Sequence, residues 1–320
     1  MVIMNVSGLP LLKDIKDAYC RISPLIHRTP VLTSSQLNSI FASDLHFKCE
    51  NFQKVGAFKF RGATNAIMQL PVKERSRGVI THSSGNHAAA LALAAHQAGT
   101  RAYIVMPSTA PEVKKTAVAS YGAQISFCEP TLSARISTAQ GIIEKTGASF
   151  IHPYDNFNVI CGQGTAALEM MEDIDNMDIF ICPVGGGGLL SGSATVVKGL
   201  KPGVKVFAAE PLGADDASRS FYSGKLVRDH SPVTIADGLL TTLSDRTFSI
   251  IRDKVDDIFT VDEDAIIKAM KLIWERMKII IEPSSATVLA AIMNNPDVFS
   301  GKRVGLILSG GNVDLRKLPF

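Results

Sequence analysis

The stretch DIFICPVGGGGLLSGSATVVKGL, residues 178–200, opens on a short apolar run, passes through Gly185, Gly186, Gly187 and Gly188, and continues with a helical pattern over 190–200. An apolar run of that length, bounded by glycine, reads as a strand buried on both faces. A strand that feeds straight into a helix is the repeating unit of a parallel sheet, because the chain must cross back before the next strand can run the same way. Four consecutive glycines at such a junction cost conformational entropy. They also let backbone N–H groups converge where the helix start carries partial positive charge, and a phosphate is the guest that suits such a turn. The turn is not a P-loop, since no Lys-Ser/Thr pair follows, and it lacks the G-x-G-x-x-G spacing.

The same alternation extends to both sides. Strands are expected over 45–49, 78–81, 102–106, 124–128, 150–152, 204–209, 258–261 and 304–308. Helices are expected over 88–98, 111–121 (opened by Pro111), 133–145, 164–171 and 262–277, the last capped by Asp262. An amphipathic helix over 12–22 precedes them, and 27–35 is an extended connection because Pro30 holds its predecessor out of the helical region. The fold class is α/β, a two-domain arrangement of parallel sheets flanked by helices. A chain of 320 residues is longer than one core usually serves. The run 78–151 is expected as a smaller lobe set into a larger one formed by 1–77 and 152–320.

Composition narrows the function. A net charge of +3 with scattered basic residues leaves no electrostatic footprint for nucleic acid. No stretch approaches the roughly 20 apolar residues of a membrane span, and the first ten residues lack a secretory signal. Cys20, Cys49, Cys128, Cys161 and Cys182 are odd in number and widely spaced, so they read as reduced thiols of a cytoplasmic protein.

Three further segments carry chemistry. In Gly56-Ala57-Phe58-Lys59-Phe60-Arg61-Gly62 a lysine stands between aromatic rings. Lost hydration disfavours its ammonium form, and the free amine can condense with an aldehyde. A lysine that snorkels its charge to water between two core phenylalanines would show the same pattern. His82-Ser83-Ser84-Gly85-Asn86-His87 joins strand to helix without an acidic group, and suits a small substrate's carboxylate or an ordinary helix cap. Leu308-Ser309-Gly310-Gly311-Asn312 follows the last strand, where a buried hydroxyl could meet a heteroaromatic nitrogen or the turn could simply close the sheet.

Taken in order, these motifs resemble the fold-type II pyridoxal-phosphate enzymes, and among them the serine racemases and short serine/threonine dehydratases. The likeness runs from His27 to Leu315 and includes Cys161-Gly162-Gln163-Gly164-Thr165, Thr234-Ile235-Ala236-Asp237-Gly238, Trp274-Glu275-Arg276-Met277-Lys278 and Glu282-Pro283. The resemblance implies pyridoxal 5'-phosphate bound covalently through Lys59, with Phe58 beside it and Asn86 on its phenolic oxygen. Gly185, Gly186, Gly187 and Gly188 would hold its phosphate, and Ser309 would face its ring nitrogen. Ser83, Ser84, Gly85, Asn86 and His87 would line the substrate carboxylate. Racemisation needs proton donors on both faces of a planar carbanion, and Lys59 and Ser84 are the implied pair; dehydration needs only Lys59.

Glu210-Pro211-Leu212-Gly213-Ala214-Asp215-Asp216 could supply hard oxygen ligands or be a solvated acidic loop. The resemblance assigns Glu210, Ala214 and Asp216 to magnesium, or to calcium or manganese. It also implies an ATP effector site at Ser34, Ser35, Lys54, Tyr121, Lys278 and Asn312, although Ala89 stands where that family often has a glutamine. The implied activity is interconversion of L- and D-serine with elimination of water to pyruvate and ammonia, in a homodimer acting on a small amino acid. Two alternatives remain. One is a dehydratase for threonine, serine or hydroxyaspartate with little racemase activity. The other is a nicotinamide- or nucleotide-binding protein that uses the glycine loop.

Overall fold

A computed structural model of the chain describes residues 8–83, 85–110, 112–229 and 231–320. Ten strands are described: β1 (Val31–Thr33), β2 (Asp44–Cys49), β3 (Val79–His82), β4 (Ala102–Pro107), β5 (Gln124–Cys128), β6 (Ser149–Phe150), β7 (Ile179–Pro183), β8 (Lys205–Pro211), β9 (Asp257–Val261) and β10 (Arg303–Leu308). They form a six-stranded sheet in the order β1-β2-β10-β7-β8-β9 and a four-stranded sheet in the order β5-β4-β3-β6. All pairs are parallel except β1, which runs antiparallel to β2 with Val31 opposite Lys48. The segment 27–35 therefore contains an edge strand, and Ser34 then caps a helix, Ser35–Phe41. β7 is buried along its whole length, as a central parallel strand covered on both faces must be.

The helix expected over 164–171 begins earlier, spanning Phe157–Asp173. Gly162 and Gly164 lower its propensity, but packing requires them. A Cβ at Gly162 would stand 2.6 Å from the Arg61 carbonyl oxygen, and one at Gly164 would stand 2.9 Å from that of Gly192. The helices Lys59–Met68 and Gly188–Leu200 thus pack backbone to backbone against Phe157–Asp173. This close contact seats both helices whose first turns face the site. Pro111 lies outside the described residues, and the helix after it spans Glu112–Ser120.

Helices Asp216–Ser223, Asp245–Lys254 and Pro283–Asn294 were not expected. The last is buried from Ser284 to Ile292. Its apolar residues show no one-sided period because every face is covered. The four-stranded sheet joins the rest through an alanine-rich helix, Asn86–Gln97, whose Ala88, Leu91, Ala92 and Ala95 share a core with Phe60, Ala63 and Ile67.

Candidate active site

Adjacent strands β2, β10, β7 and β8 deliver, beyond their carboxyl ends, Lys59, Ser309, the four glycines and the acidic segment that runs to Asp216. β2 and β10 end level, with Cys49 opposite Leu308, and Pro183 closes β7 opposite Ala209. Ligands of open parallel sheets bind outside this edge. Motifs far apart in sequence are collected there by strand order alone.

Lys59 begins its helix. Its Nζ donates to the Pro153 carbonyl at 3.0 Å and lies 5.0 Å from the centre of the Phe58 ring. Burial strips water from the ammonium and pulls its pKa from 10.5 to about 8, while the nearby Glu282 carboxylate pulls the other way. A neutral, nucleophilic amine is therefore accessible close to neutral pH. The Phe58 N–H donates to the Ser309 carbonyl at 3.0 Å, tying the start of this helix to the end of β10. Ser309 is buried, with Oγ 3.1 Å from Ser285 Oγ. Ser285 in turn donates to the Gly310 carbonyl at 2.7 Å and accepts from its N–H at 2.8 Å.

The glycine turn is packed rather than slack. Gly187 has φ +83°, and a Cβ at Gly186 would lie 2.3 Å from the Tyr154 ring. Any side chain at Gly186 would displace Tyr154. Gly187 caps the helix Gly188–Leu200, and the Ser191 N–H bonds back to Gly187 at 2.8 Å. The amides ahead of Ser191 have no carbonyl one turn earlier, so they are available to an anion.

On the facing side, the Gly85 N–H donates to Ser83 Oγ at 3.4 Å, and Asn86 opens the helix Asn86–Gln97. Ser84 lies outside the described residues. Asn86 Nδ2 donates to both oxygens of Glu282, at 3.0 and 3.1 Å, and its Oδ1 accepts from Asn312 Nδ2 at 2.9 Å. His87 is buried, with Nε2 3.1 Å from the Ile151 carbonyl. A carbonyl only accepts, so Nε2 carries the proton, and Nδ1 is left without a partner. Burial, with Lys59 adding repulsion, pushes the His87 pKa down to about 3, so the ring is neutral.

Glu282 entered the sequence reading only within the family-like pair Glu282-Pro283, with no role assigned to it. It is buried at the cap of Pro283–Asn294, and burial pushes its pKa up to about 7 against the pull of Asn86. Tyr154, which fills the space beside the glycines, was also missed. No sequence pattern gives either residue a role, because each is defined by what packs on it.

Glu210 is buried at the end of β8 and takes its hydrogen bonds from the amides of Ala217 (3.3 Å) and Ser218 (2.5 Å). Burial, reinforced by Asp216, pushes its pKa up to about 9. Burial likewise raises Asp216 to about 6, and Asp216 Oδ2 accepts from the Leu243 N–H at 3.3 Å. Ala214 ends the short 3-10 helix between them.

The residues matched to a nucleotide are less clearly gathered. Ser34 accepts from the Leu37 N–H at 3.4 Å, and Ser35 is exposed. Lys54 donates to the Leu25 carbonyl at 2.6 Å, Tyr121 packs on the alanine-rich helix core, and Lys278 is an exposed helix end with φ 59°. Asn312 donates to the Val55 carbonyl at 2.7 Å as well as to Asn86. Among the described residues no hydrogen bond joins Ser34, Lys54, Tyr121 and Lys278 to one another.

Residues 22–310 match the family described as pyridoxal-phosphate dependent enzyme. The chain is 54% identical over 312 residues to a serine racemase of Dictyostelium discoideum, covering 96% of each chain. It is 49% identical over 312 residues to a beta-hydroxyaspartate dehydratase of Paracoccus denitrificans (strain Pd 1222), covering 98% of this chain and 99% of that one. The crystal structure of the Dictyostelium discoideum serine racemase superposes with a TM-score of 0.92 at 55% identity, over 96% of this chain and 100% of that chain. The nicotinamide alternative has nothing left to explain.

Proposed function

This chain belongs to the pyridoxal-phosphate dependent enzymes, and from that premise we propose that it interconverts L- and D-serine and also eliminates water from serine to give pyruvate and ammonia. The observation that carries the reading is Lys59, a desolvated amine with pKa near 8 that opens its helix beside the packed glycine turn. The donor set fits the cofactor. Free amides stand at Gly188–Leu200 for a phosphate, a buried neutral hydroxyl at Ser309 for a ring nitrogen, and the Phe58 ring beside the amine. Once bound, pyridoxal phosphate supplies an electron-withdrawing system that takes up the charge left when a proton leaves the substrate Cα.

The chain's own residues do the rest. Lys59 Nζ exchanges the proton on one face, and Ser84 serves the other. Ser83, Gly85 and Asn86 hold the substrate carboxylate at the start of the helix Asn86–Gln97. His87, kept neutral, orients that turn through Ile151. Ser309 offers a hydroxyl in place of a carboxylate, so the ring nitrogen gains no charged partner; this favours racemisation and elimination over transamination. The smaller lobe, 78–151, moves on substrate binding, and its contacts with the rest include Asn86 with Glu282 and Lys114 with Asp237.

A divalent cation, magnesium above all, belongs between Glu210, Asp216 and the Ala214 carbonyl. Burial raises the pKa of both carboxyls, and a divalent cation would favour their charged forms. Control by ATP, a homodimer and a cytoplasmic location form part of the same reading and rest on the resemblance of motifs. An ATP site would have to draw Lys54 from Leu25 and Asn312 from Asn86. No helix among the described residues is long and apolar enough to cross a membrane.

A second reading, dehydration of hydroxyaspartate, is favoured by Arg135. Its Nε is buried without a partner, and its charge acts on His82. A second substrate carboxylate would satisfy it. Specificity constants for serine and for hydroxyaspartate, measured with wild type and Arg135→Ala, separate the two. The main reading is tested by borohydride reduction of the yellow holoenzyme and mass mapping of the adduct, expected on Lys59, followed by chiral analysis of products. Ser84→Ala should abolish L-to-D interconversion while leaving substantial pyruvate formation; equal loss of both would remove the two-base assignment.

A further inference from the structure

A cavity of about 230 Å³ lies away from the chemistry, walled by apolar Leu25, Ile67, Met68, Ala94 and Ala98, with Thr64, Arg75 and the exposed Gln97 as its polar members. It sits between the later turns of two helices that both begin in the active site. Ile67 is eight residues beyond Lys59 (59 to 67), and Ala94 is eight beyond Asn86 (86 to 94), about 12 Å of helix in each case.

The wall has two unsatisfied polar features. Thr64 is 5% exposed, and its buried hydroxyl has no hydrogen-bond partner. Arg75 is half-buried, yet among the described residues its guanidinium has no hydrogen bond or ion pair; its backbone is engaged, the amide donating to Pro71 and the carbonyl accepting from Gly78 and Thr100. Carbonyls at the nearby helix ends do not need it. Ala94 and His96 accept from the amides of Ala98 and Gly99, and Asn65 and Ile67 accept from those of Gln69 and Leu70.

We propose that this cavity binds a small carboxylate with a short aliphatic or aryl tail, the carboxylate on Arg75 and the tail against Leu25, Ile67, Ala94 and Ala98. A guanidinium without an acceptor is matched by a planar carboxylate. Apolar walls reward a hydrocarbon tail and give nothing to a zwitterion such as serine. The volume is below the roughly 300–1,000 Å³ of pockets for drug-sized ligands, so the guest is small.

The test uses the holoenzyme with hexanoate as probe and 1-hexanol as its uncharged counterpart, by titration calorimetry. Hexanoate should bind saturably, at least about tenfold tighter than hexanol, as expected for one charge-assisted contact. Arg75→Gln should weaken hexanoate by about tenfold and leave hexanol unchanged. Ala98→Leu, which fills the cavity, should abolish binding of both. Saturating serine should not displace hexanoate. Absence of saturable binding, equal affinity in wild type and Arg75→Gln, or displacement by serine would each overturn the assignment. Should Ala98→Leu melt without a cooperative transition, the Arg75→Gln arm still decides.

Discussion

Two of the regions where this molecule buries carboxylates behave in opposite ways. Behind the Lys59 helix, Lys48, Glu50, Arg61 and Glu169 form a closed group in which none of the four side chains is exposed. Arg61 is bidentate to Glu50 (2.7 and 2.8 Å) and to Glu169 (2.8 and 2.7 Å), and Lys48 adds a 2.6 Å bond to Glu169. Burial alone would raise the Glu169 pKa, but Arg61 and Lys48 outweigh it and hold the carboxylate below its usual range. At the end of β8, Glu210 meets amides in place of a guanidinium, burial dominates, and the carboxyl is driven up to about 9. A buried acid whose charge is matched within the chain is scaffold. One whose charge is not matched there marks a place for something from outside.

The largest effect expected from this contrast is on the matched group. Arg61→Met removes one cation from between two buried carboxylates and should cost about 3–5 kcal/mol of stability. The fall in urea midpoint measures it. Adding Glu50→Gln to that variant should recover a good part of the loss, because the stranded charge rather than the missing bond is the main cost. A double variant no better than the single one would mean that geometry, not charge balance, matters there.

The two acids at the end of β8 should respond to pH and to metal. Glu210 and Asp216 have folded-state pKa values above their ordinary ones, so the folded state binds more protons than the unfolded chain. Their contribution is fully present below the unfolded values and is lost as pH rises through the folded ones. Metal-free protein should therefore lose stability between about pH 4 and pH 9 through this pair. Magnesium should restore it, by about 2.7 kcal/mol at a concentration one hundred times its dissociation constant, and should release protons on binding. Glu210→Gln should abolish the magnesium effect and flatten the pH slope. Melting curves at pH 6 and pH 8, with and without magnesium, test this; an unchanged magnesium response in Glu210→Gln would remove Glu210 from the cation site.

How much of this was legible in the sequence depends on the kind of signal. Gly185, Gly186, Gly187 and Gly188 between a strand and a helix located the packed turn beyond β7, because a close backbone approach permits little else. Lys59 stood out through its aromatic flanks, and strand–helix alternation gave the parallel sheets. The edge strand β1 was hidden, since Val31–Thr33 is too short to show a period. The helix Pro283–Asn294 was hidden because burial on every side erases amphipathicity. The roles of Glu282 and Tyr154 were hidden for a different reason: the Asn86 amide and Gly186 give them their places, and those contacts exist only after folding. Glu210 and Asp216 share one acidic loop, whereas Glu50 and Glu169 stand in distant segments, and only the fold shows that Arg61 and Lys48 close on the latter.

Glu282 lies between the two extremes, and the smallest expected effect sharpens the contrast there. Its burial is offset by Asn86, and its pKa of about 7 leaves it partly ionised near neutrality. That partial charge acts on Lys59, raising an amine pKa that burial lowers. Glu282→Gln keeps an acceptor for Asn86 and removes the charge, so the Lys59 pKa should fall below about 8. In the cofactor-free protein the rate of pyridoxal phosphate uptake, followed by absorbance, rises with the neutral fraction of this amine. Its midpoint should move to lower pH in Glu282→Gln, by no more than about one pH unit for a single neighbouring charge. A midpoint that stays in place would mean that Lys59 takes its depressed pKa from desolvation alone, and Glu282 would then belong with the scaffold.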